Sequence, residues 1–555
     1  MRSRPRQIPC FTVAGGFMMA PRERVRFMEK RLTVFRKDRG KGDSMLGGAL
    51  SLTAAAIFVK VFGVLYKVPL SRILGDLGMG YFNTAYTVYA FFYLLCTAGV
   101  PKAVSLMTAE WTERGTLGDE MRLLKRCLML FAGIGAVFSV FLFTGARYIC
   151  RAVGSPEAFG TLMTVAPAVI FISLSGVLRG YLNGRARLVP AAVAELIEGA
   201  CKLVLGLFFA ILAARQGLPL PLISAATIAG LTFGSFFGVL FLYVVVKKQI
   251  SEEKTAQNSN PVLKEQGVLR KILRIALPVT AGAVVMSVCN IFDLLLVMRR
   301  LSTMGYTAAE ASAKYGNYTT LAVPMFGLGA TLAAAVATAT LPRLKSADVL
   351  GDTRAYGEAF SRGLSLAGFF SAALFGGFLF FPEEILSLLF ERGAAQRAAP
   401  LLALLSFAVV LLGALTLYNT ALEAKGHVYV PLLSMGVGSV VKLAVSYFLV
   451  GDPAWGIAGA PMGTVACYAV ALVVSLITSS RHGILSAGQL RMFTSPILAA
   501  LTSAALSRLL LSVLQRMLPP APATVFAGIG FGLFYLILAV LLGFFPKRTP
   551  MVSSI

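Results

Sequence analysis

Runs of about twenty apolar residues, separated by short polar or Gly- and Pro-containing breaks, recur along the chain from residue 46 to residue 545. An α-helix rises about 1.5 Å per residue, so a run of that length crosses roughly 30 Å of hydrocarbon with its backbone polar groups bonded internally. The pattern predicts an all-α integral membrane protein of about fourteen transmembrane helices. They fall at 46–69, 81–107, 124–146, 158–178, 188–213, 220–246, 272–298, 315–341, 360–381, 398–422, 428–450, 455–478, 493–517 and 521–545. A polar linker, residues 247–271, follows the sixth run and divides the chain near its middle.

The pattern also repeats. Asn183-Gly184, Pro190 and Lys202 mark the start and body of the fifth helix, and Lys425-Gly426, Pro431 and Lys442 mark the eleventh at nearly the same spacing. Gly80-Tyr81 opens the second helix and Tyr315-Gly316 the eighth. Six helices per copy is an even number, so both copies keep one orientation. The expectation is two lobes, residues 46–246 and 272–478, related by a pseudo-two-fold axis along the membrane normal, with a substrate path between them. Residues 479–555 then carry helices thirteen and fourteen and a short C-terminal tail.

Composition agrees with the class: 57% of residues are hydrophobic and 14% charged, whereas soluble domains carry about a quarter charged residues. The net charge of +26 raises nucleic acid as a partner, so the position of the basic residues matters. Twelve of the 51 Lys and Arg precede Asp43. With the N-terminus set inside, inner loops hold more than twice as many of the rest as outer loops. This positive-inside asymmetry places both termini in the cytoplasm, makes membrane lipids the partner of the basic charge and removes the case for nucleic acid. Residues 1–45 read as a basic, disordered cytoplasmic tail. Their apolar patch, Ile8 to Ala20, is followed by more positive charge rather than a cleavage site, and Met28 and Met45 are alternative starts. Seven scattered cysteines and two histidines, His427 and His482, give no disulfide framework and no metal site. Neither a cofactor nor enzymatic catalysis is expected.

Residues 48–110 carry an R-x-L-G-D-x-G turn (Arg72 to Gly78), a Tyr-rich second helix and a T-A-G-V-P-K close (Thr97 to Lys102). On these motifs the chain resembles the stage V sporulation protein B branch of the polysaccharide exporters. These Wzx-like flippases are related to the MurJ-type lipid II flippases and the MATE transporters of the MOP superfamily. The resemblance implies a flippase in the bacterial cytoplasmic membrane. Its cargo would be an undecaprenyl-pyrophosphate-linked oligosaccharide or peptidoglycan precursor, moved from inner to outer leaflet by alternating access. A proton or sodium gradient or the membrane potential would drive it, and cell-wall synthesis enzymes would be neighbours. In the lipid II flippases, arginines of the first helix and the end of the second face the cavity. Lys60 stands at the first-helix position and Arg72 matches a basic residue of the turn. Tyr93 and Leu94 replace the second-helix arginines, with Lys102 nearby, so the resemblance does not extend to lipid II as the cargo.

An ionised residue near the bilayer centre costs about 2.5–3.5 kcal/mol on insertion scales, so each one inside a span is a candidate for function. Lys60, Lys67, Lys102, Lys202 and Lys442 suit a cavity that must hold and release a pyrophosphate, because lysine binds phosphate as a point charge. The competing reading, strongest for Lys67 and Lys102 near helix ends, is snorkelling to headgroups. Glu195, Glu198 and Lys202 share one face of the fifth helix. They are either a titrating cluster that couples ion movement to transport or an internally neutralised Glu198–Lys202 pair. Asp293, with Asn290, either ligands a cation, partners a lysine across the cavity or bridges to Arg299 and Arg300 at the helix end. Glu423 has the same helix-end reading beside Lys425. Tyr86, Tyr89 and Tyr93 share a face that suits either sugar stacking or interhelical packing. Pro278, Pro324 and Gly327-Leu328-Gly329 mark helix breaks that either line a cavity or reflect ordinary membrane-helix composition. Two rival functions would call for other residues. A cation-coupled multidrug antiporter would want an acidic aromatic cavity, and a membrane-embedded glycosyltransferase would want clustered carboxylates or histidines beside a sizeable loop.

Overall fold

A computed structural model of the protein describes residues 45–114, 117–256, 268–484 and 489–541. The expectations for the N-terminal tail and the last residues lie outside that set. Among the described residues there is no strand.

Helix α1, Met45–Thr97, runs through Gly75, whose backbone (φ 60°, ψ −174°) is non-helical and open to glycine alone at little cost. Fifty-three residues would otherwise extend to roughly 80 Å, far beyond a bilayer. Gly75 therefore folds one continuous element into two crossings. Among the described residues, thirteen helices are long and apolar enough to cross a membrane, and the Gly75 break in one of them makes fourteen.

The first lobe continues with α2 (Val100–Arg114), α3 (Leu117–Val153), the short α4 (Phe159–Val165), α5 (Ala168–Gly184), α6 (Val189–Arg215) and α7 (Leu220–Ala256). The second holds α8 (Val268–Thr303), α9 (Ala308–Asn317), a π-helical turn at Tyr318–Ala322, α10 (Val323–Leu350) and α11 (Thr353–Phe380). It closes with α12 (Pro382–Leu389), α13 (Arg392–Ala424), α14 (Tyr429–Val450) and α15 (Gly459–Arg481). Helices α16 (Gln489–Met517) and α17 (Pro520–Leu541) pack on each other and on α11 of the second lobe. The helices overrun their apolar cores. Helix α7 continues to Ala256 because Ser251-Glu-Glu-Lys-Thr-Ala leaves the apolar run without a helix breaker, and α3 starts ahead of its apolar run with Asp119 and Glu120 at its positive end. Part of the predicted linker is thus helical, and residues 257–267 lie outside the described set.

The repeat is visible in the packing. Helices α6 and α7 of the first lobe and their counterparts α14 and α15 of the second form closely packed pairs, each through small residues. A Cβ on Gly234 would lie 2.7 Å from the Glu198 carbonyl, and one on Gly463 3.0 Å from that of Lys442. With lipid tails as apolar as leucine, such close backbone approach is what holds membrane helices together. Outward faces carry exposed Val137, Phe141, Phe208, Phe448 and Ile537, the surface a bilayer would cover.

The lobes meet at both ends. At the Gly75 end, Gly80 and Gly316 cross with no room for a side chain: a Cβ on Gly80 would collide with the Ser312 carbonyl, and one on Gly316 with that of Asp76. Asp76 accepts from Arg397 at 2.8 Å and from Asn317 at 3.2 Å, and Ser155 bonds Ser312 at 3.0 Å. At the linker end, Gly99 abuts the Ala276 carbonyl, and Lys271 pairs with Glu110 at 2.9 Å. The two turn motifs noticed in the sequence, at Gly75–Gly80 and at Gly99, are therefore the two places where the lobes close on each other.

Candidate functional site

Between these closures lies a cavity of about 350 Å³ walled by α1 from the first lobe and by α8, α9, the π turn, α10, α13, α14 and α15 from the second. Its charged lining residues are Lys67, Asp293 and Lys442. Tyr86, Tyr315, Tyr318 and Tyr468 supply rings and hydroxyls, and Asn83, Asn290, Ser439 and Thr464 supply further polar groups.

Lys442 Nζ lies 2.9 Å from Asp293 Oδ2, with both side chains largely buried. Asp293 thus has a lysine partner, one of its three readings from the sequence. Arg300 instead donates to the Tyr447 carbonyl at 3.0 Å and lies over the Tyr447 ring. Asp293 Oδ1 is buried with no hydrogen-bond partner among the described residues.

Lys67 Nζ crosses the lobe boundary to the carbonyl of Thr319 at 3.2 Å. The π turn explains why that carbonyl is free. Val323 N–H bonds the Tyr318 carbonyl, one residue further back than in an α-helix, and the following residue, Pro324, has no N–H to offer Thr319. Beside it, Asn83 Nδ2 donates to Thr320 Oγ1 at 2.7 Å, and Thr87 and Tyr315 hydroxyls lie 3.4 Å apart. Pro324 therefore marks a cavity-lining break, as one reading of the sequence had it. The side chain of Pro278 is outside the described set.

Lys202 does not pair with Glu198. Its ammonium lies over the rings of Tyr86 (4.8 Å) and Tyr66 (5.5 Å), a cation–π arrangement at the cavity edge. Arg179 of α5 takes both carboxylates, Glu195 at 2.7 Å and Glu198 at 3.1 Å, while Ser235 donates to Glu198 at 3.3 Å. The neutralised pair expected within the fifth helix is thus replaced by a two-helix clamp. Geometry favours arginine here, since its planar fork reaches two acceptors at once. Arg179 is not among the residues singled out from the sequence, because it lies one residue past the end of the fourth apolar run, 158–178, where a charge reads as a helix-end residue.

The remaining candidates separate. Tyr89 is buried in the first-lobe core and Tyr93 packs against it, so of the tyrosine stripe only Tyr86 reaches the cavity. Arg72 and Lys102 are exposed and are not among the cavity's lining residues. Lys60 lies on α1, and its side chain is outside the described set. Lys425 reaches the His482 carbonyl at 2.7 Å, leaving Glu423 exposed.

With this geometry in view, comparison with known proteins decides the family. Residues 45–347, more than half of the chain, match the polysaccharide biosynthesis protein family. The chain belongs to that family. Within it, the chain is 23% identical to the Bacillus subtilis membrane protein YabM over 77% of this chain and 79% of that one. It is 21% identical to Bacillus subtilis stage V sporulation protein B over 79% and 84% of the two chains. Among solved structures it is similar to lipid II flippase MurJ in an inward closed conformation, with a TM-score of 0.67, 15% identity, and coverage of 88% of this chain and 98% of that one. It is also similar to an inward-facing multidrug resistance MATE family transporter of the MOP superfamily, with a TM-score of 0.60, 16% identity, and coverage of 77% and 94%. The chain therefore shares the fold of these two solved structures, a multi-pass membrane protein of two six-helix lobes, followed here by the pair α16 and α17.

Proposed function

We propose that the protein is a flippase for a lipid whose sugar headgroup is joined through a diphosphate, carried from the inner to the outer leaflet by alternating closure of the two lobes. The observation that carries this reading is the charge of the cavity: two ammonium groups, Lys67 and Lys442, against one carboxylate, Asp293. A concentrated anion fits that balance, and an organic cation does not, which disfavours a multidrug antiporter. The short loops between spans disfavour a glycosyltransferase. Relatives named for flipping lipid II and for sporulation support a cell-wall glycan as cargo.

In this reading Lys67 and Lys442 hold the diphosphate from opposite lobes, Lys202 and Tyr86 border the first sugar, and the prenyl tail stays in the bilayer. Glu195 and Glu198, held by Arg179, form a fixed wall of the first lobe. In the same reading the linker and both termini face the cytoplasm, which the positive-inside distribution of basic residues supports. A cavity of about 350 Å³ holds a headgroup fragment only, so the Gly75 and linker ends must part in turn for passage.

The test is flipping of a fluorescent undecaprenyl-diphosphate-linked sugar in proteoliposomes. The Lys67→Ala/Lys442→Ala double variant should insert normally and lose flipping. Undiminished flipping by that variant would refute the site, and native mass spectrometry of the purified protein should reveal a retained lipid-linked glycan.

A further inference from the structure

Helix α8 changes lobes along its length. Toward the linker end, Ile272 and Ala276 are buried in the first-lobe core with Val100 and Trp111, whereas Leu294 and Val297 are buried in the second-lobe core with Leu401 and Val450. The linker-end half of α8 is thus committed to the opposite lobe from α14, against which the helix otherwise packs. An apolar wedge of about 620 Å³ lies there, between Val285 of α8 and Tyr429, Leu433, Gly436, Val437 and Val440 of α14. From Tyr429 to Val440 is about 16 Å of helix, the depth of one leaflet of a roughly 30 Å hydrocarbon core.

The wedge backs on the cavity. Ser287, just beyond Val285, and Ser439, next to Val440, line the cavity, as do Asp293 and Lys442 farther along the same two helices. The pair α8 and α14 is therefore the wall between cavity and bilayer, and the wedge enters that wall from the bilayer side. Gly436 sets its depth. A glycine inside a helix is destabilising relative to alanine, a loss ordinarily offset by close packing. Gly438 has such packing, since a Cβ there would lie 2.5 Å from the Cys467 carbonyl, but a Cβ on Gly436 would meet nothing within 4 Å. The absent side chain deepens the wedge rather than admitting a neighbouring helix.

We propose that the wedge between α8 and α14 seats the prenyl chain of the cargo, with the isoprene units next to the diphosphate at its deep end by Val285 and Val440. This deepens the reading of the cavity as a diphosphate site and rests on it. Lipid tails are as apolar as leucine, so a chain gains nothing by solvation when it leaves the bilayer for this groove. What the wedge supplies is a path. A charged headgroup can occupy the cavity only if the chain bonded to it crosses the surrounding wall, and the wedge is an apolar entry into that wall in the leaflet at the linker end. An ordinary phospholipid could cover the same face, but its headgroup stays at the surface beside the exposed Tyr429 and makes no use of the deep end.

The experiment uses the full-length protein in nanodiscs and undecaprenyl-diphospho-N-acetylglucosamine carrying a photoactivatable diazirine on the isoprene unit next to the diphosphate. Irradiation should label Val285, Val437 and Val440, located by mass spectrometry of proteolytic fragments, and excess unlabelled lipid-linked sugar should suppress that labelling. A phosphatidylglycerol with the diazirine on an acyl chain is the comparison. Equal labelling of the wedge by both probes, untouched by the competitor, would make it a seat for bilayer lipid and overturn the inference, as would labelling confined to α16 and α17.

Gly436→Trp fills the wedge from a position where a side chain meets no neighbour. Competition for that space should weaken binding of the lipid-linked sugar about tenfold, the scale of an overpacking effect. Binding of ethyl-diphospho-N-acetylglucosamine, which has the diphosphate but no chain, should be unchanged. Unaltered affinity for the lipid-linked sugar, or equal weakening of both ligands, would overturn the inference, and binding of the ethyl compound to the wild type would leave the diphosphate site standing. If neither ligand binds the wild type, both readings fall. Should Gly436→Trp fail to fold, labelling of the wild type decides the matter by itself.

Discussion

The ammonium of Lys67, on the first lobe, bonds the carbonyl of Thr319, on the second, at 3.2 Å, and that carbonyl is available because Pro324 cannot bond it. A helix defect on one lobe is thus satisfied by a cation from the other. A buried bond to a charged group is worth about 1.5–3 kcal/mol. Lys67→Met should therefore destabilise contact between the lobes by about that amount, read as a shift of distances between spin labels on the two lobes toward the separated state. Pro324→Ala supplies the missing N–H, so it should straighten the turn and shift the lobes the same way with Lys67 intact.

Gly80 and Gly316 leave no space between the lobes at the Gly75 end. Gly80→Ala would place a methyl group against the Ser312 carbonyl, and backbone cannot yield as a side chain would. The variant should insert and fold but fail to close at that end. Cysteine pairs across the Ser155–Ser312 contact, which lie together in the wild type, should then lose their cross-linking.

Arg179→Ala leaves Glu195 and Glu198 without their shared cation. Removing one side of a partly buried ionic cluster costs about 3–5 kcal/mol, so the yield of folded protein in detergent should drop. Glu195→Gln/Glu198→Gln added to Arg179→Ala should recover much of it, and Arg179→Lys, which cannot reach both carboxylates in one plane, should be intermediate. Recovery is read by thermal unfolding monitored by size-exclusion chromatography.

The chain's two histidines meet at the linker end, with ring centroids 3.8 Å apart. Partial desolvation, then the neighbouring His427, Lys425 and Arg481, hold the His482 pKa below its ordinary value. A depressed histidine pKa means the folded protein favours the neutral ring, so the contact is intact above the ordinary value and is lost as pH falls through the depressed one. Removing one like-charged neighbour with His427→Ala should move the His482 titration upward, seen by NMR of labelled histidine.

Much of this molecule was legible from the order of its residues. A bilayer imposes a length and an apolar composition on each crossing, so the fourteen spans and the two-lobe architecture could be read without coordinates. The same rule, that charge inside hydrocarbon is expensive, singled out Lys67, Lys442 and Asp293, which line one cavity. The partners were not legible. Glu198 and Lys202 have the spacing of an ion pair, yet Arg179 on the neighbouring helix offers a better geometry, and Lys202 turns to Tyr86. Spacing along one helix ranks local pairs, whereas the pair that forms is set by which helices pack together. The same limit separated Tyr86 from Tyr89 and Tyr93, and Arg72 and Lys102 from the cavity. The free carbonyl of Thr319 belongs wholly to the tertiary structure, since a backbone group has no signature in the sequence until a π turn and a proline expose it to a lysine from the other lobe.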